Sequence, residues 1–165
     1  MTQANYPSTI NNPFGMDVQA SATILVLGLG ESGLAMARWC LAQGANVKIH
    51  DTRAEHSLSD AAKQNIANLN AIGINQIHFG STIDDSELEG VSIIAVSPGM
   101  SPLTEPMSSL LSVAVQKNIK VWGELEFFSQ ALANLQAEQQ YSPKVLAITG
   151  TNGKTTTTAL TGAIC

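Results

Sequence analysis

Thr23-Ile-Leu-Val-Leu-Gly-Leu-Gly-Glu-Ser-Gly33 is the stretch that decides the fold. Its first five residues form a short run, apolar after Thr23, that stops at a glycine, the pattern of a strand buried on both faces of a parallel sheet. The next six match G-x-G-x-x-G. Alone that pattern is weak; here it follows a strand and opens a helix, which is its proper context. Each glycine has a physical task. Gly28 permits a tight turn, Gly30 lets a diphosphate approach bare backbone, and Gly33 lets the helix pack closely on the strand. The helix N-terminus supplies free N–H groups and partial positive charge for phosphate. The alternative is that the glycines serve tight packing alone.

Outward from this stretch the pattern alternates. Helical spacing covers 33–43 and Gly44 stands where a C-terminal cap would. Strand-like runs follow at 46–50, 76–79, 91–96 and 119–122, with helices over 59–71, 105–117 (Pro106 in its first turn) and 124–135. Strands alternating with helices predict βαβ units and an α/β, doubly wound, Rossmann-like parallel sheet. Residues 136–143 read as a polar linker. Residues 144–149 read as one more buried strand, and a helix opens at Lys154. The expected organisation is a flexible tail at 1–22, a nucleotide-binding domain at 23–135, the linker, and at 144–165 the strand, phosphate loop and helix start of a second, P-loop domain.

Two further positions fall at strand ends, where open parallel sheets bind ligands. Asp51 ends the second strand at the distance from Gly33 where an acidic residue commonly meets a ribose hydroxyl; it could equally cap the next turn. Ser97-Pro98-Gly99 ends the 91–96 strand, and is either part of the same site or a plain turn. At this point the glycine loop reads as binding a diphosphate-bearing nucleotide, with NAD the default ligand.

The third constellation is Gly150-Thr151-Asn152-Gly153-Lys154-Thr155-Thr156. The strict G-x-x-x-x-G-K-[ST] pattern fails, because Ile148 stands where the first glycine belongs. Its chemistry survives: backbone N–H groups wrap phosphates, Lys154 neutralises β/γ oxygens, and the Thr155 hydroxyl can reach Mg²⁺. A dehydrogenase has no use for this second phosphate site, and a simple P-loop ATPase has none for the first. A ligase that binds a nucleotide-linked substrate in one domain and ATP in the next uses both.

Together these segments, with Asp51-Thr52-Arg53 and Gly123-Glu-Leu-Glu-Phe127, resemble the Mur ligase family of peptidoglycan synthesis, in its D-glutamate-adding branch. The resemblance spans residues 23–165. It implies that Gly28, Leu29, Gly30, Glu31, Ser32 and Gly33 hold the diphosphate of UDP-N-acetylmuramoyl-L-alanine rather than NAD. Asp51, Thr52 and Arg53 then face the uridine end, and Ser97, Pro98 and Gly99 close the site. Gly150 to Thr156 bind ATP, with Lys154 and Thr155 catalytic and Thr155 on Mg²⁺. The family reaction activates the substrate carboxylate as an acyl phosphate, which the amine of D-glutamate attacks. Glu31 departs from the small or apolar residue usual in the family; its carboxylate would repel a diphosphate, so only its backbone N–H is expected to contribute.

Composition narrows the alternatives. The 165 residues carry a formal charge of −5, against the basic surplus of a general nucleic-acid binder. No apolar run reaches a membrane span, and the first twenty residues lack a signal-peptide pattern. Two cysteines, Cys40 and Cys165, cannot build a disulfide framework and are expected to be small buried groups. A cytoplasmic protein is expected. Only eleven residues follow Lys154, so the chain reads as an N-terminal fragment that binds UDP substrate without catalysing. The competing readings are an NAD-dependent oxidoreductase and a non-enzymatic nucleotide-binding module.

Overall fold

The computed structural model describes residues 22–165. The expected tail lies outside the described residues except Ala22, which is buried and whose carbonyl accepts from Asn46 N–H.

Five strands, β1 (Thr23–Leu27), β2 (Asn46–Asp51), β3 (Gln76–Phe79), β4 (Ile93–Val96) and β5 (Lys120–Trp122), pair in the order β3-β2-β1-β4-β5. Every pairing is parallel. The chain winds outward from β1 in one direction, then returns to β4 on its other side. That reversal between β1 and β4 is the topological switch point, where an open α/β sheet forms its ligand crevice. Four helices accompany the sheet: α1 (Glu31–Ala42), α2 (Asp60–Ala71), α3 (Met107–Gln116) and α4 (Glu124–Gln139).

The apolar run of β1 explains the two-layered core. Ile24 and Val26 pack with Ala37 and Cys40 of α1, Leu69 of α2 and Phe127 of α4. Leu25 and Leu27 point the other way, to Leu88, Met107, Leu110 and Ala114. Alternate residues of one strand thus fill opposite cores, as the strand period dictates. Burial pushes the Cys40 thiol up to about 12, leaving it a neutral apolar group.

Several boundaries differ from the sequence reading. Helix α1 starts at Glu31, so Gly33 lies inside its first turn. Ser59 is the N-cap of α2, its hydroxyl accepting from Ala62 N–H. Pro106 precedes α3 as its N-cap rather than sitting in the first turn, and β4 begins two residues later than expected. Helix α4 continues to Gln139, four residues into the expected linker, because nothing in Gln136-Ala-Glu-Gln139 breaks a helix. Residues 144–149 form no strand, and Val145 and Leu146 are 57% and 67% exposed. A buried parallel strand requires a neighbour on at least one edge, and this segment pairs with none among the described residues. Cys165 is exposed rather than buried. The helix expected from Lys154 is present as α5 (Lys154–Ile164).

Candidate functional site

The carboxyl ends of β1, β2 and β4 and the N-terminus of α1 enclose a cleft of about 340 Å³, within the usual range of ligand pockets (~300–1,000 Å³). Gly28, Leu29, Gly30, Glu31, Ser32, Asp51, Thr52, Arg53, Ser97, Pro98 and Gly99 all line it, joined by Met100. Gly33 lies behind this lining.

The β1–α1 loop is tied to both neighbouring strands. Gly28 N–H donates to the His50 carbonyl (2.8 Å), and Leu29 N–H to Asp51 Oδ2 (2.7 Å). Across the switch point, Ser97 Oγ donates to the Gly28 carbonyl (3.3 Å) and Ser97 N–H to the Leu27 carbonyl. The loop is therefore held in shape before any ligand arrives.

The three glycines differ in what they face. Gly28 has φ +90°, a conformation that favours glycine. A Cβ on Gly33 would stand 1.9 Å from the Gly28 carbonyl oxygen and 2.8 Å from Ser97 Oγ. Gly30, the α1 N-cap, has ordinary φ −78° and would place a Cβ with nothing within 4 Å. The protein itself does not require glycine there. The cleft does, if a ligand is to reach the backbone. No side chain caps α1, so its first-turn N–H groups are left for that ligand.

Asp51 is 2% exposed. Its Oδ2 accepts from Leu29 N–H and Arg53 Nη2 (2.7 Å each), its Oδ1 from Arg53 N–H (2.9 Å) and Nε (2.8 Å). Burial works to raise its pKa. The Arg53 side-chain hydrogen bonds, the two backbone N–H donors and the guanidinium charge outweigh that and bring it down to about 2. Four donors fill the carboxylate's capacity of about four lone pairs. As folded, Asp51 is a brace between the glycine loop and Arg53; a ribose or uracil group would reach it only by displacing Arg53.

The α1 N-terminus carries two acidic neighbours. Glu31 is exposed in the first turn. Ser32 Oγ donates to Glu124 Oε2 at 2.7 Å, linking α1 to the first residue of α4. Sequence reasoning missed this role of Glu124, although the Gly123-Glu-Leu-Glu-Phe127 segment stood out. In that segment Glu126 Oε2 also accepts from Gly123 N–H (2.9 Å), closing the start of α4.

The second phosphate-loop candidate is apart from this cleft in sequence and exposed throughout. Gly150 and Gly153 have φ +150° and +78°, and Gly153 caps α5. Lys154 Nζ donates to the Gly150 carbonyl (2.6 Å), so the ammonium bridges the mouth of the loop. Thr155 and Thr156 follow in the first turn of α5, with exposed side chains. A cation over a curled backbone beside a helix N-terminus suits a polyphosphate, and a free hydroxyl on the next residue suits a magnesium ion held with it.

The profile of the Mur ligase MurD-like N-terminal domain matches residues 22–123. The chain belongs to the MurD-like Mur ligases. Among curated relatives of this MurD-like chain, the UDP-N-acetylmuramoylalanine--D-glutamate ligase of Cupriavidus pinatubonensis is 53% identical over 141 residues. That match covers 86% of this chain and 27% of the relative. The enzymes of the same name from Paraburkholderia phymatum and Ralstonia nicotianae are 52% and 51% identical, covering 86% and 88% of this chain and 27% and 28% of their own. The chain thus spans about a quarter of the length of the curated relatives it matches. The dipicolinate synthase of Bacillus halodurans superposes with TM-score 0.42 and 21% identity, over 78% of this chain and 50% of its own. No helix among the described residues is long and apolar enough to cross a membrane.

Proposed function

We propose that this chain is the nucleotide-substrate-binding part of a cytoplasmic, ATP-dependent ligase that adds D-glutamate to UDP-N-acetylmuramoyl-L-alanine. The observation that carries the reading is the uncapped α1 N-terminus opening, through Gly30, on a cleft walled by Asp51-Thr52-Arg53 and Ser97-Pro98-Gly99. The name borne by relatives at about half identity supports the choice of nucleotide.

In this reading the diphosphate lies on the first-turn N–H groups of α1, with Ser32 Oγ turning from Glu124 to a phosphate oxygen. Arg53 faces the uridine end, its charge offsetting Glu31 and Glu124. Asp51 keeps the loop in register, and the Ser97 hydroxyl fixes the Gly28 carbonyl away from the incoming anion. In a chain of the relatives' length, Gly150 to Thr156 would cradle ATP, Lys154 moving from the Gly150 carbonyl to phosphate oxygens, and Thr155 would hold Mg²⁺. Bound Mg²⁺-ATP supplies the phosphoryl group that activates the substrate carboxylate for attack by the D-glutamate amine. The segment 144–165 is the start of the ATP domain, and by itself the chain binds UDP substrate without turnover.

Calorimetry with UDP-N-acetylmuramoyl-L-alanine, UDP, NAD and ATP tests this. Binding of the first two, with neither of the others held comparably, is expected; tight NAD binding without uridine binding refutes it in favour of an oxidoreductase. In a chain of the relatives' length, Lys154→Ala should abolish ligation and leave UDP-substrate affinity unchanged. Retained ligation would remove Lys154 from the chemistry.

A further inference from the structure

On the opposite side of the β2 end from Asp51, three chemistry-bearing side chains converge that the nucleotide reading does not use. His50 of β2 and His78 of β3 are register partners in parallel strands and so project from the same face of the sheet. Glu87, in the short 3-10 turn Asp85–Leu88, reaches both: its Oε2 lies 2.9 Å from His50 Nδ1 and 3.1 Å from His78 Nδ1. All three ligand atoms fall within 4.8 Å of one another. His50 is 2% exposed, the Glu87 side chain 10% and the His78 side chain 58%, so the cluster is closed inside and open to solvent at His78.

Hydrogen-bond parity makes this more than a polar contact. His50 Nε2 lies 2.9 Å from the Gly80 carbonyl, an oxygen that can only accept. Nε2 therefore carries the hydrogen, and a neutral His50 aims the Nδ1 lone pair at a carboxylate oxygen. Two buried acceptors cannot face each other at that distance without a cation between them, whether a proton or a metal. The histidine-to-carbonyl bond is also the usual outer support of a ligating imidazole, fixing tautomer and ring orientation. The two separations to Glu87, 2.9 and 3.1 Å, are a few tenths of an ångström shorter than the roughly 3.3 Å between tetrahedral ligands bound at about 2.05 Å, so a modest opening of the cluster admits the ion.

We propose that His50 Nδ1, His78 Nδ1 and a Glu87 carboxylate oxygen form a binding site for a zinc-type divalent ion. Two imidazoles and a carboxylate are a borderline-soft donor set suited to Zn²⁺ and ill-suited to Mg²⁺. The fourth position faces solvent past His78 and takes water. The ion ties β2, the edge strand β3 and the 85–88 turn together. Because the His50 carbonyl and Asp51 side chain hold the glycine loop, its role is to stiffen the β2 end rather than to act on substrate.

The test uses tag-free, chelator-treated chain carrying Cys165→Ser, so that the exposed thiol adds no ligand. Calorimetry with Zn²⁺ should give one equivalent bound. Co²⁺ should give visible absorption bands of low-symmetry nitrogen and oxygen coordination. His78→Ala, exposed and tolerable to the fold, should cost tenfold or more in affinity, as should Glu87→Gln. Binding unchanged in His78→Ala, or no binding at sub-millimolar Zn²⁺, overturns the proposal. None of these readouts involves a nucleotide, so the result stands apart from the ligase reading.

Discussion

Gly33→Ala and Gly30→Ala make a matched pair: the same methyl group three residues apart, with opposite expected outcomes. At position 33 the new carbon would stand 1.9 Å from the Gly28 carbonyl oxygen. The obstacle is backbone, held by Gly28 N–H on His50 and by Ser97 Oγ on that same carbonyl, so it cannot swing aside like a side-chain tip. Forcing extra volume into a packed site costs about 1–3 kcal/mol, and this clash belongs at the upper end. Alanine returns up to ~1 kcal/mol in helix propensity. The net is a loss of about 2 kcal/mol, or roughly 5–15 °C in Tm for a domain of this size. At position 30, φ is −78° and nothing lies within 4 Å. The poorer N-cap (~0.5–1 kcal/mol) and the reduced unfolded-state entropy (~0.4–1 kcal/mol) nearly cancel. Thermal melts followed by circular dichroism, repeated with UDP, give both readings. Gly33→Ala should melt well below the parent. Gly30→Ala should melt with it, but lose tenfold or more of the UDP affinity. If Gly33→Ala melts like the parent, or Gly30→Ala binds UDP undiminished, the division of labour among the glycines is wrong.

Asp51→Asn should loosen the glycine loop and Arg53 together, lowering both stability and nucleotide affinity in melts and calorimetry. Because Asp51 is held near 2, below its ordinary 3.8, its contribution is present above pH 4 and disappears as pH falls through 2. It amounts to at most about 2 kcal/mol, less what solvent screens at the half-exposed Arg53, and acid titration of the parent against Asp51→Asn measures it. Glu124→Gln removes a negative charge hydrogen-bonded to the α1 first turn, so UDP should bind severalfold tighter at low salt, with the gain fading as salt rises; weaker binding would contradict the placement of the diphosphate. Hydrogen exchange should be fast from Ser142 to Cys165 and slow in β1 and β4; strong protection of 142–165 in a monomer would show that this segment packs.

The sheet and the cleft at its switch point were legible because their signals are local. Ile24–Leu27 is apolar at every position, and Gly28, Gly30 and Gly33 are spaced by the geometry of one turn. Asp51 and Ser97 were legible as strand ends, but the saturation of Asp51 by Arg53 and Leu29 was not, since it depends on rotamers and a contact 22 residues away. The strand expected at 144–149 shows the opposite failure. Its apolar run is real, yet a strand is a relation between segments, and no sheet edge among the described residues takes this one. The His50–His78–Glu87 cluster was invisible for the same reason. Parallel register sets His50 opposite His78 across 28 residues, and neither sequence spacing nor composition encodes that register.

Helix α4 buries one residue, Phe127, whose ring meets Trp39 edge-on at 5.8 Å and Trp122 at 5.1 Å. Its one buried anchor thus lies near the N-terminus, and residues 130–132, 134 and 135 are only part-buried. Its short arm ends at Glu124, against Ser32 in the cleft. Its long arm runs twelve residues to Gln139, about 18 Å at 1.5 Å per residue. Rotation about the aromatic pivot would be amplified along that arm: a tilt of about 10° would carry the far end roughly 3 Å. Residues 140–149 run from that end to the 150–156 loop, so under the proposed reading a movement at Ser32 is carried along α4 toward the second loop.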